Sequence, residues 1–249
     1  KLGHHGSATV GITFDQSPAE LIGKRGDGFR LMLLLMNNAR ISVGFESLGI
    51  CEAARRMAKD YAAQRPSMGK TIDQHEMIAE MLDEMDIDIL GMRALAIKAA
   101  HNEELARRAA IASKALPESD PRAQTFHKEQ KSRTWASRKA TPLLKYITSE
   151  KAVEMARRNI QIHGGSGYMR EYGAEKLLRD SLVLPIYEGT SQIQCLMAMK
   201  DNLLPIFKSP VAFLFTTIGS LVTATFGIGR AKRIATLRSR GKRAMFNLI

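Results

Sequence analysis

Cysteine is nearly missing from this chain: Cys51 and Cys195 are the two present, far apart and without paired spacing. That excludes a disulfide framework and gives no support to a zinc site, so no metal is expected. Aromatic residues are scarce at 6 %, and no long apolar run follows the opening Lys1-Leu2-Gly3-His4-His5. A secretory leader is therefore not expected. Acidic residues are lacking in one region only. Between residues 202 and 249 there is no Asp or Glu, while Lys208, Arg230, Lys232, Arg233, Arg238, Arg240, Lys242 and Arg243 are all basic. Those eight residues carry most of the formal net charge of +12, so a nucleic-acid surface on the main body has little support.

What is present favours helix. Apolar residues reach 45 % of 249, enough for a sizeable core, and Met is abundant at 13. Residues 8–14 alternate and are β-branched, so they read as a strand. A single strand needs a sheet from elsewhere. Residues 1–25 are therefore expected to be the end of a β-domain, and the chain to be a piece of a longer protein. A helix is predicted over 29–64, broken by Arg65-Pro66-Ser67-Met68-Gly69. Thr71 and Asp73 offer caps for a second helix. Its stripe Ile78, Met81, Leu82, Met85, Ile89 and Met92 reads as core, not as a metal box. A third helix is predicted over about 122–162, with Pro142 kinking or splitting it. Gly164, Gly165 and Gly167 end it, and shorter helices fit 174–180 and 191–204. Three long helices joined by short loops predict a mainly α, up-and-down bundle over 26–204. A tail over 205–249 follows, apolar first and basic afterwards.

The run Tyr187-Glu188-Gly189-Thr190-Ser191-Gln192-Ile193-Gln194 is the most informative. By local chemistry alone it is an acidic loop residue, a glycine and a Thr-Ser pair able to cap a helix. An exposed Glu188 at a plain helix entry satisfies that pattern. Four more runs stand upstream: Asn37-Asn38-Ala39-Arg40, Arg65 to Lys70 with Gln74-His75, Gln161 to Tyr168, and Glu175 to Asp180. In this order and spacing the five resemble the acyl-CoA dehydrogenases. They are similar to that family's first-helix arginine, its Arg-x-x-x-Gly loop, its glycine-rich loop, the joining segment and the signature of the catalytic glutamate. Residues 1–14 resemble the last strands of its middle β-domain, so the likeness spans 1 to about 204. Extra length near 116–135 and the tail resemble a larger subclass with C-terminal additions.

The resemblance implies FAD-dependent α,β-dehydrogenation of an acyl-CoA thioester, with Glu188 as the base that takes the α-proton. A carboxylate out of water suits that step. Tyr187 would back the base, and Gly189 would leave room for the acyl chain and thioester. Other members carry the base on the first long helix, at a position that here is Ala39 and cannot serve. Arg40 would lie on the CoA side of the pocket; an ordinary helix ion pair is the other reading. For FAD, Arg65 would meet the pyrophosphate, with Met68 standing where an aromatic is common. Gln161 and Gly165 would meet the adenylate end from a second subunit, and Thr190 and Gln192 the flavin of the subunit that owns Glu188. His163 fills a slot expected to be aliphatic and reads as structural. Implied partners are acyl-CoA, an electron-transferring flavoprotein and further copies of the chain in a dimer or tetramer.

Two alternatives stay open. One is an oxidase-like flavoenzyme of the same fold, although the nitroalkane-oxidase type uses Asp where Glu188 stands. The other is a non-catalytic helical module that binds a partner or a membrane. The uncharged residues 210–228 fit three readings. A bilayer span is weakened by Gly219, Gly227 and several Thr. A helix pair packed on protein is the second. An interfacial anchor over 209–243, with the basic run on anionic lipid, is the third. The expected location is the cytoplasm, or the mitochondrion in a eukaryote, with that peripheral membrane contact.

Overall fold

The computed structural model describes residues 1–117 and 119–246. It divides into two compact units, Lys1–Cys195 and Leu196–Ile249.

Three long helices build the first unit: α1 (Gly28–Gln64), α2 (Glu76–Ala115) and α3 (Pro121–His163). Helix α3 packs on both of the others. The facing surfaces are small: Cys51, Ala54, Ala58 and Ala62 on α1, Ala96 and Ala99 on α2, and Ala152 on α3 are all fully buried. Side chains three or four residues apart share one helix face, so these form continuous stripes. Larger residues fill the space between, including Met85, Leu144 and Met155. The predicted stripe lies here, with Met85, Ile89 and Met92 buried and Ile78, Met81 and Leu82 packed against them. At Gly44 a Cβ would stand 2.6 Å from Leu144 Cγ, so α1 and α3 approach closely at that point. Next to Leu144 on α3 is Lys145.

Sequence and structure differ in three places. Residues 8–14 form no strand, and Val10, Ile12 and Phe14 are exposed; a lone strand has no ladder to join. Pro142 does not split α3, which runs unbroken through it. Pro142 itself is buried and its neighbour Leu144 is in the core, so packing on two helices holds the segment. Thr71 does not cap α2. The chain after α1 makes a two-residue antiparallel hairpin, β1 (Pro66–Ser67) and β2 (Lys70–Thr71). Met68 (φ 48°) and Gly69 (φ 83°) form its turn, both left-handed as the twist of a tight hairpin requires. A short 3-10 turn over Ile72–Gln74 then delays α2 to Glu76.

Beyond α3, Gly164 (φ 59°) ends the helix and its N–H returns to Gln161 O. A Cβ at Gly167 would meet Ile160 O at 2.6 Å, which reserves that position for glycine. Helix α4 (Ala174–Ser181) follows, then a loop, then α5 (Ser191–Lys208), which leaves the first unit at its N-terminal turn.

The second unit pairs α6 (Pro210–Phe226) with α7 (Gly229–Phe246). Lys242 of α7 donates to Thr216 Oγ1 (3.2 Å) and Ser220 Oγ (3.3 Å) of α6, and lies over the Phe213 ring. Thr216 and Ser220 of α6 thus face its partner helix. Val211, Leu214, Phe215, Ile218, Val222 and Phe226, at three-four spacing, are exposed. The usual amphipathic arrangement is inverted here.

Candidate active site

The loop from α4 to α5 is wound tightly. Leu184 N bonds Ser181 O, Ile186 N bonds Val183 O, and Ser191 N bonds Pro185 O at 2.9 Å. Leu184 is fully buried and anchors the loop in the core. At its end the chain turns left-handed twice, at Glu188 (φ 56°) and Gly189 (φ 91°). Such a φ is uncommon for a residue with a Cβ.

Two consecutive left-handed residues turn both carbonyls toward the bundle, where three helices supply donors. Arg40 Nε of α1 donates to Glu188 O at 3.1 Å. Lys145 Nζ of α3 donates to Gly189 O at 2.8 Å. Gln194 Nε2 of α5 donates to Glu188 O (3.1 Å) and Gly189 O (3.4 Å). A Cβ on Gly189 would stand 2.5 Å from Gln194 Nε2, so the room that glycine leaves is filled by this amide. Lys145 and Gln194 expose no surface at all, and Arg40 only 8 %.

Burial pushes the Lys145 ammonium down to about 8, against the pull of Glu150. It lowers Arg40 as well, partly offset by the nearby Glu188 charge. Tyr187 is half-buried and donates its hydroxyl to the Glu46 carboxylate; burial and that acid push the phenol up. The Glu188 carboxylate is placed differently. Its Oε2 is buried and has no hydrogen-bond partner, and neither has Gln194 Oε1. Buried oxygens without donors are rare enough to require an explanation. Thr190 is half-buried and Gln192 exposed, on the side of the turn where α5 begins.

The other predicted residues lie elsewhere. Arg65, Met68, Gln161 and Gly165 are all exposed. The end of α1 is tied to the glycine loop through Tyr61, which stacks on His163 with ring centroids 4.2 Å apart. Tyr61 also donates to Ser166 Oγ at 3.2 Å. The Arg65 hairpin and the glycine loop therefore share one end of the bundle. His163 is buried, bonds Asn159 O through Nδ1 at 2.8 Å and is pushed down by burial. Along α1, the stretch from Arg40 to Tyr61 separates this end from Glu188 by about 30 Å, at about 1.5 Å per residue.

A single family profile, the acyl-CoA dehydrogenase C-terminal domain, matches residues 26–117 and 122–203. The chain belongs to the acyl-CoA dehydrogenase family. An acyl-CoA dehydrogenase of Bacillus subtilis is 35 % identical over 205 residues, covering 80 % of this chain and 46 % of its own length. Butyryl-CoA dehydrogenase of Megasphaera elsdenii, a solved structure, superposes with a TM-score of 0.56 at 28 % identity. That match covers 71 % of this chain and 39 % of the other. A solved chain described as electron transferring flavoprotein of Acidaminococcus fermentans gives 0.58 at 27 % identity, covering 73 % and 40 %. The chain thus spans under half the length of the relatives it matches. Members of the acyl-CoA dehydrogenase family are flavoproteins, generally FAD-dependent.

Lys145, Gln194 and Glu46 at this site are additional to the residues expected from sequence. Gln194 lies within the glutamate signature, and only its phase on α5 separates it from Gln192. Lys145 sits in a helix turn with Thr141, Leu144 and Thr148, all fully buried. That small and apolar company is the signal that this lysine faces inward.

Proposed function

We propose that the full-length protein is a flavin-dependent acyl-CoA dehydrogenase and that Glu188 is its base. The observation that carries this reading is Glu188 Oε2, a buried carboxylate oxygen with no donor of its own. The cations around it are engaged by main-chain carbonyls instead. A carboxylate oxygen that no donor or cation occupies is open to accept a proton, whereas one tied in an ion pair is not. It takes the α-proton of the thioester as the α-carbon rehybridises, and the neutral acid stays within the protein. FAD, when bound, supplies the acceptor for the β-hydrogen, which leaves as hydride.

The residues present fit that cofactor. The Arg65 guanidinium is exposed, with no ion pair among the described residues, beside a hairpin whose Gly69 has open space around it. Gly165 is equally open, with nothing within 4 Å of a Cβ. A planar guanidinium and bare backbone suit a pyrophosphate and its adenylate. These residues stand about 30 Å from Glu188 along α1. That distance supports a cofactor shared between two copies, with Arg65, Gln161 and Gly165 from one and Thr190, Gln192 and Glu188 from the other. Met68, 93 % exposed, would cover the same cofactor. Membership of the family is what supports an electron-transferring flavoprotein as the proposed electron acceptor. The test is anaerobic addition of acyl-CoA thioesters of several lengths to the flavin-loaded full-length protein. Bleaching of the flavin by at least one of them is expected; none by any of them contradicts the reading.

The tail adds a membrane contact. Its inverted hairpin turns apolar side chains outward, and Arg230, Lys232, Arg233, Arg238, Arg240 and Arg243 are exposed on α7. Among the described residues, no single helix is long and apolar enough to cross a bilayer. An anionic membrane surface takes the apolar face and adds roughly 1 kcal/mol per basic residue. The full-length protein is therefore expected to sediment with phosphatidylserine-containing vesicles. Binding should weaken with salt, because screening sets in over about 10 Å at 0.1 M. Removing residues 209–249 should abolish it and spare flavin reduction. A protein that stays in the supernatant at low salt, or a deletion that destroys folding, makes the tail a packing element.

A further inference from the structure

We propose that Lys145 and Gln194 are positioning residues for Glu188: with Arg40 they hold the Glu188–Gly189 turn by its two carbonyl oxygens and so aim the carboxylate. This rests on the reading of Glu188 as the base. Three separate helices converge on two consecutive carbonyls, which a loop that only connected α4 to α5 would not need. A buried ammonium is costly unless bonded. Lys145 is fully buried, and its hydrogen bond among the described residues goes to Gly189 O.

Gln194 is just as buried and reaches both carbonyls. Its approach is possible only because residue 189 has no side chain. The left-handed φ of Glu188 is itself unfavourable, so the surroundings must hold it. Engagement of the main chain also has a chemical consequence. Had Lys145 or Arg40 met the carboxylate directly, an ion pair would have occupied the oxygen that must take the proton. Bonded to the carbonyls, they fix the direction of the side chain and leave Oε2 free.

The experiment compares Lys145→Met, Gln194→Met and Glu188→Gln in the flavin-loaded full-length protein. It measures flavin content, the acyl-CoA concentration that half-saturates reduction, and the limiting single-turnover rate of flavin bleaching. A misaimed base slows the limiting step, so each Met variant should lose roughly tenfold to a hundredfold in that rate, with half-saturation within about twofold of wild type. A wild-type limiting rate in both Met variants, while Glu188→Gln is inactive, overturns the proposal. If one Met variant fails to fold, the rate in the other decides. If both lose folding or flavin, the two residues are structural and the proposal is wrong. A fully active Glu188→Gln instead removes the reading of the base, which is a separate failure.

Discussion

Glu188→Gln in the full-length protein is expected to keep its flavin and lose flavin reduction by acyl-CoA by roughly 10²–10⁴-fold. The amide has nearly the shape of the carboxylate, and the turn beneath it is held through main-chain carbonyls by Arg40, Lys145 and Gln194. None of those bonds involves the residue's own side chain, so the substitution leaves the loop in place. What it removes is the ability of the buried, donor-free oxygen to accept a proton. A loss of that size is about 3–5 kcal/mol of barrier. Half-saturation by substrate should move little, because an interaction made only in the transition state changes the rate and not the ground-state affinity. A variant that also sheds its flavin would place Glu188 among the cofactor's supports.

Arg65→Ala carries the second large effect. Arg65 follows the last turn of α1, its N–H returning to Tyr61 O at 3.0 Å and its carbonyl accepting from Ile72 N at 2.9 Å. The backbone is thus fixed independently of the side chain, which is exposed. Thermal stability should change little, as for most exposed positions. Flavin retention should fall roughly tenfold to a hundredfold, the worth of a charge-assisted bond of about 1.5–3 kcal/mol. Lysine restores the charge without the two-pronged donor and should recover only part of the loss. Dilution or dialysis followed by the flavin absorbance per protein measures it. Retention equal to wild type would remove Arg65 from the cofactor site.

The helices were legible where punctuation is local. Pro66 stops α1 at Gln64, and Pro121 opens α3, because a proline restricts its own residue and the one before it whatever the rest of the fold does. Elements that depend on distant partners were not legible. Residues 8–14 have strand composition, but a strand exists only within a ladder. Thr71 has the chemistry of a cap, yet the left-handed Met68-Gly69 turn draws it into a hairpin.

Pro142 stays inside a helix because both flanks are packed, and packing is tertiary. At the site, Glu188 stood out through its neighbours in sequence, whereas its left-handed backbone did not. Gln192 and Gln194 are the same residue two places apart. On a helix that separates them by about 200°, which exposes the first and buries the second. Lys145 is the hardest case, since lysine is among the residues least often buried. Its position is set by the turn it holds, on a loop more than forty residues further along the chain.

The most direct test of the account is the stopped-flow rate of flavin bleaching by α-protiated and α-deuterated acyl-CoA, in wild type and in Glu188→Gln. The account predicts a slower reaction with deuterium in the wild type, because the α-proton moves in the limiting step, and almost no bleaching in the variant. Bleaching of Glu188→Gln at the wild-type rate would contradict it.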